Sequence, residues 1–239
     1  MPVAAAAAAV ALAAAQAVSF ATKDGWTIQA KYRPAASGKA VVVLAHGVGS
    51  AGDEWNGLAE DLARRGIGTL AVDLRGHAGS LSGPPGSTGW AGFDATGSWP
   101  GSAEDLRAAA AWLSRKGVPD WRIAFGGASI GANLAAAVAV ERKSAPFVLM
   151  LSPAENYRGV PMSFRKGLPA LVAAAPDDGY AYMAARRAEA EKTAAVHYAP
   201  TGHGVRMLAD AGTRKRVLDW IAAAKLTPPA PKAPAPPKR

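Results

Sequence analysis

No cysteine occurs in this sequence of 239 residues. Its absence excludes disulfide bonds, thiolate nucleophiles and thiolate metal sites, although it does not decide the cellular compartment. Histidine is scarce as well, with four residues, and no histidines and carboxylates are clustered at the spacing of metal ligands. The sequence therefore predicts neither a metal site nor a cofactor.

Negative charge is also in short supply. Asp and Glu number 18 against 27 Lys and Arg, which gives a net charge of +9. The basic residues are scattered, and no basic stripe is interleaved with aromatic residues, so we expect a small-molecule substrate and no nucleic-acid partner. Half of the residues are hydrophobic and 19% are charged, a balance typical of a globular chain with a sizeable core.

The two ends of the chain differ from the rest in composition. Residues 1–16 are mostly Ala and Val, and they resemble a secretory signal without its positive residues. We expect either a signal peptide, which would make the protein secreted or periplasmic, or a disordered Ala-rich extension of a cytoplasmic protein. This run is too short for a stable membrane span. Residues 227–239 are rich in Pro and Lys and predict a disordered tail, which leaves 17–226 as the domain.

Between these ends, strand and helix patterns alternate. Predicted strands cover 17–22, 26–32, 40–45, 68–73, 121–125, 147–151, 168–174 and 194–198, and predicted helices cover 53–65, 102–116, 130–143, 181–192 and 204–225, the last interrupted near 211–212. Asp24-Gly25 joins the first two strands in a hairpin. The remaining alternation predicts an α/β fold with a mostly parallel sheet and helices on both faces, and with its chemistry in the loops after the strands.

The start of the 102–116 helix carries a capping signal. Ser102 is expected to be its N-cap, with Asp105 three residues later, in a pattern close to a capping box.

The pattern G-x-S-x-G stands at residues 127–131, between a predicted strand and a predicted helix. That context is the one required by a nucleophile elbow, in which the chain turns sharply and exposes the serine hydroxyl. The pattern alone is common by chance. Ser129 is the candidate nucleophile, and a serine hydroxyl needs a base beside it.

Four histidines are available as the base. His203 lies in T-G-H-G directly after the last predicted strand, where flanking glycines let the loop bring its imidazole to the rim of the sheet. His197 lies within a predicted strand and is interpreted as structural, and His46 is interpreted as holding the loop after strand 40–45. We therefore expect His203 to act as the general base.

The base needs a carboxylate to orient it. Asp177 and Asp178 both lie in the loop after predicted strand 168–174, and either can accept a hydrogen bond from the imidazole of His203. Asp178 is favoured, because Asp177 can serve as a turn or cap residue. The resulting chain order is Ser, Asp, His, which is the order of α/β hydrolases.

The tetrahedral intermediate needs two donors for its oxyanion. One is expected to be the backbone N–H of Ile130, at the N-terminus of a predicted helix. The other is expected from the glycine-containing loop at residues 46–50, most directly from the backbone N–H of Val48.

Together, the segments LAHGVGS, VDLRGHAGS, GGASIGA, APDD and TGHG resemble the α/β-hydrolase superfamily over residues 18–225. VDLRGHAGS is similar to the family's D-x-R-G-H-G-x-S, with Ala78 where glycine is usual. Asp73 and His77 are interpreted as fixing this loop. The resemblance implies the α/β-hydrolase fold and a hydrolase.

Only about sixteen residues connect the predicted strands that end at Leu151 and begin at Leu168, where many superfamily members insert a helical cap. The chain thus resembles the small lid-less branch of dienelactone-hydrolase-like proteins and esterases, with an open site. Loop 76–101, with Trp90, Phe93 and Trp99, either lines that site or is only anchored by these aromatic rings.

These patterns predict a serine hydrolase that cleaves carboxylic esters through an acyl-enzyme on Ser129. A peptidase, a thioesterase or an acyltransferase would use the same triad, and a non-catalytic binding protein on the same fold is the alternative of another class. The oligomeric state is not predicted.

Overall fold

A computed structural model describes residues 14–228 of the chain. Its strands are β1 (Gln16–Ala21), β2 (Thr27–Arg33), β3 (Val41–Ala45), β4 (Gly68–Val72), β5 (Ile123–Ala128), β6 (Val148–Leu151), β7 (Asn156–Tyr157), β8 (Val160–Pro161), β9 (Ala170–Ala174) and β10 (Ala195–Tyr198). Eight of them form one sheet in the order β1-β2-β4-β3-β5-β6-β9-β10. β1 and β2 form an antiparallel hairpin that joins the edge of β4, and the other strands are parallel.

The helices are α1 (Asn56–Arg64), α2 (Ser98–Gly101), α3 (Ala103–Arg115), α4 (Ile130–Glu141), α5 (Gly179–Ala190) and α6 (Ala211–Ala222). Side chains alternate across β3, so that Val41 and Val43 join the core under α3, α4 and α5, whereas Val42 and Leu44 join the core under α1 and α6. Helices therefore cover both faces of a mostly parallel sheet, and the predicted fold class is confirmed.

The prediction that no cap domain is inserted is also confirmed. The connection from β6 to β9 holds only the two-residue strands β7 and β8, which pair with each other as a small hairpin. Asn133 of α4 holds this hairpin, because its side-chain amide donates to the carbonyls of Ala154 (2.7 Å) and Val160 (2.9 Å). The carboxyl edge of the sheet is therefore left open.

Several predicted boundaries differ from the observed ones. β1 begins at Gln16, one residue before the predicted strand, and β5 begins only at Ile123, since Asp120–Arg122 forms a 3-10 turn. The break in the last helical region lies at Asp210 rather than at 211–212. The 3-10 helix Gly204–Ala209 ends there, and the Asp210 carboxylate caps α6 by accepting from the backbone N–H of Thr213 (2.7 Å).

Ser102 stands at the N-cap position of α3 as predicted, but the predicted capping box is wrong, because the Ser102 side chain makes no capping hydrogen bond. The Ser102 hydroxyl donates to the carbonyl of Ser98 (3.0 Å), because α2 runs directly into α3. Asp105 is fully buried and accepts from both the backbone N–H and the Nε of Arg75, each at 2.8 Å. Asp105 therefore binds a buried arginine rather than the N-terminus of α3.

Loop 76–101 is anchored by its aromatic rings. Trp99 is buried in the core and packs edge-on against Phe93, while Trp90 stacks on His77 with ring centroids 5.5 Å apart. None of these three aromatic rings lines the pocket at Ser129.

No helix among residues 14–228 is long and apolar enough to cross a membrane. The predictions for 1–13 and for 229–239 fall outside the described residues.

Candidate active site

Ser129 stands at a sharp turn between β5 and α4. Its φ of 56° and ψ of −125° lie outside the regions that L-residues normally occupy. The turn is imposed by packing: a Cβ at Gly127 would lie 2.0 Å from the carbonyl oxygen of Gly131, and a Cβ at Gly131 would lie 2.3 Å from that of Ala45. Both flanking glycines are therefore sterically required, and the side chain of Ser129 is directed to the open edge of the sheet, where it lines a pocket of about 710 Å³.

His203 lines the same pocket as Ser129 and is bonded to a carboxylate. Its Nδ1 lies 2.7 Å from Oδ2 of Asp178, whose side chain is 13% exposed while that of His203 is 48% exposed. His203 follows β10 and Asp178 follows β9, and these strands are parallel neighbours whose carboxyl ends meet at one edge. The structure thus brings the three predicted residues Ser129, Asp178 and His203 to one edge of the sheet.

Asp177 has a different set of partners. Its carboxylate accepts from the hydroxyl of Thr201 and from the backbone N–H of Gly202, at 3.0 and 3.1 Å to its two oxygens. The hydrogen bond from Thr201 holds the pKa of Asp177 below its usual value. Of the two aspartates left open by the sequence, Asp178 contacts the imidazole of His203, and Asp177 ties down the loop that carries this histidine.

A second tether of the His203 loop comes from Ser152, directly after β6. The Ser152 hydroxyl accepts from the backbone N–H of Gly204 at 2.8 Å. Ser152 is buried and has a φ of 54°, so that its side chain turns toward the neighbouring loop. Sequence reasoning missed this residue, because a serine after a buried strand carries no pattern of its own.

The loop after β3 forms a tight turn beside Ser129. The backbone N–H of Ser50 donates to the carbonyl of Gly47 (3.2 Å), and Gly49 takes the positive φ of 71° that a type II turn requires. Within the described part of the chain, the backbone N–H of Val48 has no acceptor. The N–H of Ile130, in the first turn of α4, has none there either. Both expected donors are therefore free, and the Val48 turn and Ser129 line one pocket.

His46 is buried at the base of this turn. Its Nε2 accepts from the backbone N–H of Leu74 (2.9 Å), so Nδ1 carries the proton and donates to the carbonyl of Gly47 (2.7 Å). Burial lowers the pKa of His46 to about 4. The imidazole is thus neutral and fully engaged by the backbone, which agrees with its interpretation as a residue that holds the loop.

The segment after β4 has a structural role. Asp73 accepts from the backbone N–H groups of Gly52 (2.7 Å) and Gly79 (3.1 Å), and His77 is bonded through Nδ1 to the carbonyl of Arg75 (2.9 Å). Arg75 is buried, and its guanidinium also pairs with Asp24 at 2.6 Å.

His197 lies on β10, as predicted for a strand residue, and its Nε2 contacts the hydroxyl of Thr213 at 3.1 Å.

Two charged residues of the pocket were missed by sequence reasoning, namely Glu54 and Arg206. Burial raises the pKa of Glu54, whose carboxylate lies close to the 47–50 turn. Arg206 is exposed at the rim, three residues after His203. Spacing after the 47–50 turn would have been the only available signal for Glu54. Among residues 14–228, no group of three or more His, Asp and Glu side chains is placed to bind a metal ion.

The fold and the open carboxyl edge define an α/β hydrolase. GrgF, an α/β hydrolase from Penicillium sp. sh18, superposes with a TM-score of 0.69 at 16% identity, covering 87% of this chain and 98% of that one. The Pyrococcus furiosus esterase Pf2001 superposes with a TM-score of 0.63 at 16% identity, over 88% and 93% of the two chains. The dienelactone hydrolase from Anabaena variabilis gives 0.61 at 19% identity, over 87% and 95%.

Within this class, the chain belongs to the family described as serine aminopeptidase, S33, which matches residues 36–194. It is also similar to two curated Mycobacterium tuberculosis proteins, uncharacterized protein MT2364 and uncharacterized protein Rv2307c. Each is 34% identical over 131 residues, which make up 54% of this chain and 42% of the relative. The matched part is thus less than half the length of these relatives.

Proposed function

We propose that this protein is a serine hydrolase that cleaves carboxylic esters through an acyl-enzyme on Ser129. The observation that carries the proposal is the 2.7 Å contact between His203 Nδ1 and Asp178 Oδ2, beside the pocket that Ser129 and His203 share. A carboxylate on Nδ1 fixes the proton there and leaves Nε2 as the acceptor, which is the tautomer that a general base requires. Membership of a hydrolase family and the fold shared with esterases support the same reaction class.

In the acylation step, Nε2 of His203 takes the hydroxyl proton of Ser129 while Oγ attacks the ester carbonyl carbon. The tetrahedral oxyanion is stabilised by the backbone N–H groups of Val48 and Ile130, the second of which adds the dipole of α4. The C–O bond of the ester then breaks, and the imidazolium of His203 returns its proton to the leaving alcohol. Asp178 stabilises that imidazolium without accepting its proton.

Deacylation repeats these steps with water as the nucleophile. His203 takes a proton from the water, the resulting hydroxide attacks the acyl carbon, and Ser129 leaves with the proton returned by the imidazolium. The products are a carboxylic acid and free enzyme. No other group is needed for the balance of atoms and charge.

The same residues would serve a peptidase, a thioesterase or an acyltransferase, and the family description itself names an aminopeptidase. Ester cleavage is proposed because the pocket is lined by the 47–50 turn, Glu54, the turn at Ser129, Tyr157 and the 203–206 segment, without a cap domain that would enclose a peptide terminus. The relevant comparison is therefore between p-nitrophenyl esters of increasing acyl length and aminoacyl p-nitroanilides.

The test is hydrolysis of both substrate classes by the wild type and by Ser129→Ala. We expect turnover of p-nitrophenyl esters, little turnover of the anilides, and a loss of about a millionfold in kcat in the variant. Faster cleavage of the anilides would favour a peptidase. A folded wild type that cleaves neither class would favour a binding protein on this fold.

A further inference from the structure

The turn that carries the Val48 N–H is bound at both ends by one side chain. Glu54 Oε1 accepts from the backbone N–H of Gly47 at 3.2 Å, and Glu54 Oε2 accepts from the hydroxyl of Ser50 at 2.5 Å. Gly47 and Ser50 are the first and last residues of the type II turn. The carboxylate thus closes a ring of hydrogen bonds around the two residues between them, one of which is Val48.

The backbone that presents Glu54 is itself fixed. Glu54 lies in the 3-10 turn Gly52–Trp55, whose last residue, Trp55, is completely buried in the core under α1 and α6. The backbone N–H of Gly52 donates to Asp73 at 2.7 Å. The carboxylate is therefore held by the scaffold, and its two hydrogen bonds fix the 47–50 turn to that scaffold.

A carboxylate is an unfavourable choice here on electrostatic grounds alone. The pocket is where negative charge develops on the substrate oxygen, and burial already raises the pKa of Glu54. The hydrogen bonds from Ser50 and Gly47 oppose that rise, as do the imidazolium form of His203 and the guanidinium of Arg206. An apolar side chain would fill the same space without this cost, but it would accept no hydrogen bond from the turn.

We propose that Glu54 is a positioning residue that holds the 47–50 turn with the Val48 N–H directed at the oxyanion. The inference rests on the proposed serine-hydrolase function. Without the carboxylate, the peptide between Gly47 and Val48 keeps the bonds that its carbonyl accepts from His46 and Ser50. The two ends of the turn, at the Gly47 N–H and the Ser50 hydroxyl, are then released, and because glycine has few conformational restrictions the Val48 N–H is no longer fixed in direction. The donor would then be lost from the transition state, while the ground-state substrate, which needs no such donor, would bind as before.

The experiment compares Glu54→Ala, Glu54→Gln and the control Glu60→Gln, which makes the same change at an exposed glutamate on α1. Steady-state hydrolysis of a p-nitrophenyl ester gives kcat and KM, and inhibition by an alkylboronic acid, which forms a tetrahedral adduct on serine, reports binding of a transition-state mimic. Thermal unfolding of each variant shows whether it is folded.

We expect Glu54→Ala to lower kcat about 100-fold with KM changed by less than about threefold, since one oxyanion donor is lost. Affinity for the boronic acid should fall in parallel. Glu54→Gln keeps one acceptor oxygen and should lose about tenfold, and Glu60→Gln should match the wild type. A purely structural role would instead lower the unfolding temperature without separating kcat from KM.

The inference is overturned if Glu54→Gln, which preserves the shape of the side chain, is folded and matches the wild type in kcat and in boronic acid affinity. Its failure can be told apart from failure of the proposed function. In the first case the wild type hydrolyses the ester and is labelled at Ser129 by a fluorophosphonate; in the second it does neither, and the role of Glu54 falls with it.

Discussion

Asp178 Oδ2 lies 2.7 Å from His203 Nδ1, whereas its neighbour Asp177 binds the backbone of the loop in which His203 stands. Two adjacent carboxylates therefore have separate tasks. One sets the tautomer of the imidazole, and the other fixes the position of the loop. Exchange of either for an amide should separate these tasks experimentally.

Asp178→Asn should lower kcat by about 10⁴-fold, because an amide that donates to Nδ1 stabilises the wrong tautomer of His203 and cannot stabilise the imidazolium. Hydrolysis of a p-nitrophenyl ester at saturating substrate measures this loss. The protein should remain folded, since the amide has the shape of the carboxylate.

Asp177→Asn is the matched control for this substitution. Its side-chain oxygen still accepts from the N–H of Gly202, so kcat should fall by no more than about tenfold. A larger loss of kcat in Asp177→Asn than in Asp178→Asn would show that Asp177, and not Asp178, is the acid of the triad.

Much of this site could be predicted because its residues stand in loops whose positions follow from the order of strands. Parallel strands end at one edge, so Ser129, Asp178 and His203 had to meet there once the strands had been assigned. The same reasoning left Asp177 and Asp178 open, since adjacent residues of a turn differ only in side-chain direction. That direction depends on the Thr201 and Gly202 contacts, which link segments 24 and 25 residues apart.

What the sequence did not predict consists mostly of contacts between distant segments. The Asp105 side chain looked like part of a helix cap, but its partner is Arg75, thirty residues earlier. Ser152 was missed for the same reason, since the backbone N–H that it binds belongs to Gly204 in another loop. Glu54 is the exception, because the Gly47 N–H that it binds is only seven residues earlier, but the glutamate forms no recognised motif. Local patterns also misplaced the start of β5, since the predicted strand began at Trp121 and the observed one begins at Ile123.

The buried pair of Arg75 and Asp105 makes a prediction about stability. Asp105→Asn removes the charge that faces a 5% exposed guanidinium, and leaving a buried charge partly uncompensated should lower the free energy of unfolding by about 3 kcal/mol. Urea unfolding at neutral pH measures the difference. Asp24 keeps a share of the pairing, so the loss should not exceed about 5 kcal/mol.

Glu141→Gln serves as the control for this pair. Glu141 also pairs with an arginine, Arg107, but both side chains are substantially exposed. Glu141→Gln should lower the free energy of unfolding by less than about 1 kcal/mol. Equal losses in the two variants would contradict the assignment of Asp105 as the partner of a buried charge.

His46 predicts how stability depends on pH. Its pKa is lowered from 6.5 to about 4 in the folded protein, so the unfolded chain binds more protons between these values. The contribution of neutral His46 to the free energy of unfolding is fully present above pH 6.5 and is lost as the pH falls toward 4. The free energy of unfolding should fall by an amount on the order of 3 kcal/mol over this range.

Urea unfolding of the wild type and of His46→Gln at intervals from pH 7.5 to about 4 isolates this contribution, since the other titrating groups are common to both proteins. The difference in unfolding free energy should shrink as the pH falls. A difference that stays constant over this range would show that His46 is not held neutral by burial.

The central claim is that Ser129 is the nucleophile, and covalent labelling tests it most directly. Wild-type protein and Ser129→Ala are treated with a fluorophosphonate, and the adduct is located by mass spectrometry of the peptide that contains residue 129. We expect one stoichiometric adduct on Ser129 in the wild type and none in the variant. A folded wild type that takes up no label, or a Ser129→Ala variant labelled to the same extent, would contradict the claim.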